Sequence, residues 1–136
     1  MQLAIWTCLV AGWLLTGISL VVAVVVYPAF DLVAEADWPR YHEQHSRRIT
    51  TVVALPWLLE GIGTLGWLAT DWSVLSVLHA IAAGATVGLT VFGAIPRHNE
   101  IARGRSKQAL AKLQTANLMR TVAWALAATA ATIQVA

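Results

Sequence analysis

Four stretches of this chain stay apolar for about 20 residues at a time, the length a helix needs to cross the ~30 Å hydrocarbon layer of a bilayer. They run at about 3–27, 49–69, 73–95 and 113–135. In hydrocarbon a segment has to satisfy its own backbone amides, so such stretches are helices. The expected fold is therefore all-α: a polytopic membrane four-helix bundle, with residues 1–136 forming a single membrane domain. Composition agrees, because 58% apolar and 12% charged residues lie outside the range of ordinary soluble domains. Trp6, Tyr27, Trp38, Trp67 and Trp72 fall near span ends, where amphipathic rings suit the headgroup region.

All 9 basic residues lie on one side of this layout. Arg40, Arg47 and Arg48 precede the second span; Arg97, Arg103, Arg105, Lys107 and Lys112 lie between the third and fourth; Arg120 follows just inside the fourth. Lys and Arg near span ends are retained in the cytoplasm during insertion. The expected location is thus the bacterial cytoplasmic (inner) membrane, multi-pass, with the His- and Arg-rich loops cytoplasmic and both termini outside. The formal charge of +2 belongs to a basic membrane face, and no nucleic-acid partner is expected. The N-terminus does not read as a signal peptide: it has no basic n-region and no small-residue cleavage pattern, and its apolar run is too long. Cys8, the only cysteine, has no intrachain disulfide partner and reads most simply as a small apolar residue.

The two basic connections are longer than a simple reversal needs. In the first, Asp37 is placed to cap a helix starting at Trp38-Pro39 and running into the second span, with a kink expected at Pro56. In the second, Gly104 reads as a turn and Ser106 as the cap of a long fourth helix. Ala80, Gly84 and Gly88 recur every four residues on the third span, and Ala123, Ala127 and Ala131 do so on the fourth. Small residues at that spacing let helix backbones approach closely in lipid. Packing inside the bundle is the first expectation; a homo-oligomer or larger membrane complex joined through the Gly84/Gly88 face is the alternative.

Polar residues inside the spans carry the chemistry, because an ionisable group in hydrocarbon costs several kcal/mol unless paired or hydrated. At ~1.5 Å per residue, Glu60 lies about 16 Å below Ile49 and Arg120 about 10 Å below Leu113, while His79 enters about 10 Å from the opposite side. Helical spacing groups Asn117 with Arg120 and Trp124, Trp57 with Glu60 and Thr64, and His79 with Thr86 and Thr90. Three stripes of this kind suit a pocket for a planar ligand that also needs hydrogen bonds. Glu60, Arg120 and Asn117 are its candidate catalytic groups, and His79, Trp57 and Trp124 its candidate ligand contacts. The plainer alternatives are a structural Glu60–Arg120 ion pair, or an Arg120 that snorkels to the surface.

At the basic surface, His42 and His45 sit three residues apart on one helical face, and His98 lies on the other loop. That set has the donors for a metal, or for haem held without a Cys-x-x-Cys-His attachment motif. The alternative is a headgroup-facing surface on which His42, His45, Arg47 and Arg48 meet phosphates.

The run Ile95-Pro96-Arg97-His98-Asn99-Glu100-Ile101-Ala102, followed by Asn117-Leu118-Met119-Arg120-Thr121, resembles the bacterial four-span membrane proteins grouped with the anthrone oxygenases. The likeness covers roughly the last third of the chain, and the first half only through span layout. It implies that Pro96, His98, Asn99, Asn117, Arg120 and Thr121 occupy the family's motif positions, and adds Asn99 to the candidate ligand contacts. It also implies oxidation of an electron-rich aromatic substrate by oxygen without an obvious bound cofactor. Such a reaction needs a base to form the substrate anion and a cation or donor to stabilise it. The expected function is therefore a small integral membrane protein that binds or oxidises a hydrophobic aromatic or quinone-like ligand. The alternatives are a non-catalytic accessory subunit of a larger membrane complex, or a metal- or haem-binding membrane protein. No Gly-rich nucleotide loop, nucleophile elbow or di-iron carboxylate pattern points elsewhere.

Overall fold

The computed structural model describes residues 1–136 and consists of four helices: α1 (Gln2–Leu32), α2 (Glu35–Thr70), α3 (Val74–Arg103) and α4 (Lys107–Val135). All are long and apolar enough to cross a membrane. They form an all-α four-helix bundle with no strands. Each helix outruns its apolar stretch at the basic end. The polar segment ahead of the second span is not a loop but the opening turns of α2, which continues unbroken from Trp38 through Pro56 to Thr70.

Caps follow the sequence at one of the two expected sites. Ser106 accepts from the Ala109 amide at 3.1 Å and starts α4. Asp37 occupies the N-cap position of α2, yet its side chain makes no cap bond. The backbone enters that helix through a 3₁₀ turn, Glu35–Asp37, which already satisfies the Asp37 amide on the Ala34 carbonyl.

Two helices widen locally. π-turns occupy Val22–Val26 in α1 and Leu89–Ala94 in α3. Each is closely followed by a proline, Pro28 or Pro96, whose missing N–H and bulky ring disturb the preceding turn. Amides on α4 reinforce the first: Asn117 Nδ2 donates to the Ser19 carbonyl and Gln114 Nε2 to the Ala23 carbonyl, both at 2.9 Å.

α1 packs against α2 and α4, and α4 against α3; among neighbouring helices α2 and α3 touch least. Small residues set the tight seams. A Cβ on Gly12 would come within 3.0 Å of Ala128, and one on Gly63 within 2.8 Å of Cys8 Sγ. The Ala123, Ala127 and Ala131 stripe is buried, as its spacing suggests. The Gly84/Gly88 face departs from the first expectation. An added Cβ at either position would meet nothing, because the loose α2/α3 seam leaves this face unfilled.

The basic end is knitted by one aromatic cluster. Phe30, Trp38, Tyr41 and His45 pack ring to ring, and Trp38 Nε1 donates to the Ile101 carbonyl at 2.8 Å. Arg105 lies over the Trp38 ring, donates to the Phe30 and Val33 carbonyls, and pairs with Glu35. It thereby adds a donor at the end of α1, where helix geometry leaves carbonyls short of partners; the Phe30 carbonyl also meets the Val33 amide at 3.3 Å.

Candidate functional site

The loose α2/α3 seam opens onto two chambers that share Trp57 and Trp124 as a partition. The chamber at the basic end has a volume of about 320 Å³, within the range that holds small molecules. Leu15, Ile18, Val22, Val53 and Ala94 give it apolar walls. Its polar groups are Tyr27, His45, His98, Asn117 and Arg120, and both π-turns border it through Val22, Thr90 and Ala94. Thr50, Ala54 and Ile95 also line it while remaining exposed, so the chamber communicates sideways with the lipid-facing surface.

Two donors here lack acceptors. Arg120 Nε and Trp124 Nε1 are buried with no hydrogen-bond partner, and Arg120 takes part in no ion pair. Buried donors in proteins are nearly always paired, so each such exception calls for an explanation. Asn117, by contrast, spends its amide on the Ser19 carbonyl and serves to hold α1 against α4.

His45 and His98 line this chamber, and His42 stands behind His98. His42 Nε2 lies 3.1 Å from His98 Nδ1, and His98 Nε2 lies 3.3 Å from the Tyr27 hydroxyl. His45 stacks on the His98 ring at 6.1 Å. The expected metal or haem set of His42, His45 and His98 is therefore close in space, yet it is arranged as a hydrogen-bonded, stacked chain. The ligand atoms of His42, His45 and His98 do not all lie within 4.8 Å of one another, so no three-ligand grouping forms there.

Glu60 and Arg120 do not meet. Arg120 lines the basic-end chamber; Glu60 lines the second one with Gly61, Thr64, Leu65, Ala80 and Gly84. Glu60 Oε1 lies 3.4 Å from His79 Nε2 instead. Depth alone placed the two charges together; α2 and α4 stand diagonally across the bundle, and the Trp57/Trp124 partition lies between the chambers that the two charges line. His79 is fully buried; its Nδ1 lies 2.9 Å from the Ala127 carbonyl, its Nε2 lies 2.9 Å from Thr64 Oγ1, and Trp67 packs on its ring at 5.2 Å. Among the expected ligand contacts, Trp57 and Trp124 line both chambers, His79 stands with Glu60, and Asn99 is exposed and lines neither.

Two participants were missed from the sequence. Tyr27 reads as an interfacial aromatic, but the π-turn swings it inward onto His98. Cys8 reads as filler, but its Sγ joins Glu60 and His79 in the one group of three His, Cys, Asp or Glu side chains whose ligand atoms all lie within 4.8 Å of one another. Comparable depth of Cys8 and His79 from the ends of α1 and α3 was the available signal; at ~1.5 Å per residue, both lie about 8–9 Å in. No protein-family model, curated protein or solved structure matches this chain.

Proposed function

We propose that this chain is an integral protein of the bacterial cytoplasmic membrane, basic loops inside, that binds a planar, oxygen-bearing aromatic or quinone-like molecule in the basic-end chamber. The observation that carries the reading is the pair of buried, acceptorless donors, Arg120 Nε and Trp124 Nε1, on the wall of an apolar chamber. A ligand carbonyl or phenolate oxygen supplies the acceptor that the protein withholds, and charge-assisted hydrogen bonds of this kind are the stronger class. Trp57 and Trp124 offer flat faces to the ring system. Such a ligand dissolves in lipid, which suits entry through the α2/α3 seam.

Oxidation of the bound molecule is the further reading favoured by the resemblance to the anthrone oxygenase group. The hydrogen-bonded Tyr27–His98–His42 chain supports it, since it offers a route to take a phenolic proton from the ligand toward the basic surface. Arg120 stabilises the anion that remains.

The test is a titration of the detergent-purified protein with a short-tailed benzoquinone and with a hydroxyanthracenone, read by quenching of tryptophan fluorescence. Saturable 1:1 quenching that Arg120→Gln weakens by about tenfold or more, the value of one charge-assisted hydrogen bond, is the expected result. Quenching that is linear, or identical in Arg120→Gln, refutes the reading. Consumption of oxygen with the hydroxyanthracenone, lost in His98→Ala, separates an oxygenase from a carrier.

A further inference from the structure

Behind Glu60, on the wall of the second chamber, lies a constellation that the aromatic ligand does not use. We propose that Cys8, Glu60 and His79 form a divalent metal site of the zinc type, buried within the bundle and open on one side to the α2/α3 groove. This rests on different residues from the ligand reading and stands or falls independently of it.

Four observations converge. The ligand atoms of the three residues lie mutually within 4.8 Å. His79 Nε2 and Glu60 Oε1 are 3.4 Å apart, and two donors held at ~2.0–2.1 Å from a tetrahedral ion stand about 3.3 Å from one another. Neither Glu60 oxygen has a hydrogen-bond partner, although the residue is only 1% exposed. A carboxyl that accepts and donates nothing in a buried site is an unfilled ligand. Finally, His79 is oriented from behind: its Nδ1 meets the Ala127 carbonyl at 2.9 Å. A carbonyl can only accept, so Nδ1 carries the proton and leaves the Nε2 lone pair facing Glu60 and Cys8. That is the backing a metal-ligating histidine ordinarily has.

Charge selects the ion. One thiolate and one carboxylate neutralise a divalent cation, so the loaded site adds no net charge to an apolar interior, where uncompensated charge is expensive. The mixed sulfur, nitrogen and oxygen donor set suits zinc, and excludes hard, oxygen-seeking magnesium or calcium. Three protein ligands leave a fourth tetrahedral position, the arrangement of open rather than closed zinc sites. Glu60 and Thr64 both face the groove, so that position points to a space a water or small ligand reaches. Leu65 and Leu68 extend the groove from Glu60 toward the turn that ends at Ser73, which gives the ion a path. Thr64 Oγ1 lies 2.9 Å from His79 Nε2 and 2.7 Å from the Glu60 carbonyl; its single proton serves Nε2 in the metal-free site and turns to the carbonyl when a metal takes the Nε2 lone pair.

Cobalt(II) tests this on the intact protein. The detergent-purified chain is treated with chelator, then titrated with Co²⁺ alone and back-titrated with Zn²⁺. Cys8 is the only thiol, so a thiolate-to-cobalt charge-transfer band assigns the site without any variant. The expected result is uptake of one equivalent, with that band and intense tetrahedral visible bands, all removed by Zn²⁺. His79→Gln and Cys8→Ser should each weaken uptake by about tenfold or more, a ligand mattering at least as much as the ~10–100-fold of its hydrogen-bonded support, while His42→Ala leaves the spectrum unchanged. No stoichiometric uptake, uptake without the charge-transfer band, or a signal lost in His42→Ala but kept in Cys8→Ser overturns the proposal. Should a ligand variant fail to fold, the wild-type spectrum still decides.

Discussion

The α1/α2 seam gives opposite signs for one substitution made two residues apart. At Gly63 an added Cβ would stand 2.8 Å from Cys8 Sγ, 3.1 Å from the Ala4 carbonyl oxygen and 3.3 Å from the Cys8 amide nitrogen. Comfortable carbon contacts lie at about 3.5–4.0 Å, and two of these three neighbours are α1 backbone, which cannot rotate away. Gly63→Ala therefore has to push α1 off α2, and overpacking of this kind costs about 1–3 kcal/mol. At Gly61 an added Cβ meets nothing within 4 Å. Gly61→Ala removes a flexible residue from a helix interior and gains about 0.5–1 kcal/mol. The two variants should differ by roughly 1.5–4 kcal/mol in stability, measured by unfolding from mild detergent with increasing SDS and followed by helical circular dichroism. Equal midpoints, or a less stable Gly61→Ala, would refute the packing described for this seam. Because Cys8 is the atom Gly63→Ala strikes, the same variant should also weaken cobalt uptake.

Arg105→Ala should destabilise the protein by about 1–3 kcal/mol in the same unfolding assay, since it removes charge-assisted bonds to the Phe30 and Val33 carbonyls and the packing on Trp38, and Arg105→Lys should rescue it poorly because one ammonium cannot reproduce the forked contacts. Asn117→Ala should cost about 0.5–1.5 kcal/mol, the net worth of one hydrogen bond, because the Ser19 carbonyl keeps the Val22 amide; no measurable change would show that this bond does not hold α1 to α4. Arg120→Gln should leave the unfolding midpoint unchanged or raise it, because no ion pair is lost and a half-buried, unpaired charge is removed.

The bundle was legible because apolar length and the inventory of backbone amides leave a membrane segment few choices, and Ser106 was legible because capping is local chemistry. Helical spacing grouped the polar residues into stripes but left open whether they turn toward a pocket or a partner; the burial of Glu60, His79 and Asn117 turns these three inward. Pairing did not follow. Depth along an axis says how far Glu60 and Arg120 lie from a surface, but which residues meet is decided by which helices stand side by side, and α2 and α4 stand diagonally; the Trp57/Trp124 partition lies in neither stripe alone. The π-turns were illegible for a different reason: one extra residue per turn leaves no compositional trace in a valine run, although Pro28 and Pro96 marked where it would occur. Cys8 was discounted because a single cysteine suggests no disulfide. Its partners lie on two other helices, beyond the reach of any local motif. The Gly84/Gly88 spacing names a close approach in general; here the looseness of α2 against α3 makes it a groove.

The central claim is that the basic-end chamber exists to hold an oxygen-bearing aromatic molecule against Arg120. The most direct measurement is mass spectrometry of the small molecules that accompany the protein when it is extracted from its own membrane in mild detergent, compared with those accompanying Arg120→Gln. The account predicts one aromatic carbonyl or phenol compound present at near-equimolar amount with the wild type and lost from the folded variant. Equal traces of ordinary lipid in both, with no such compound, would contradict it.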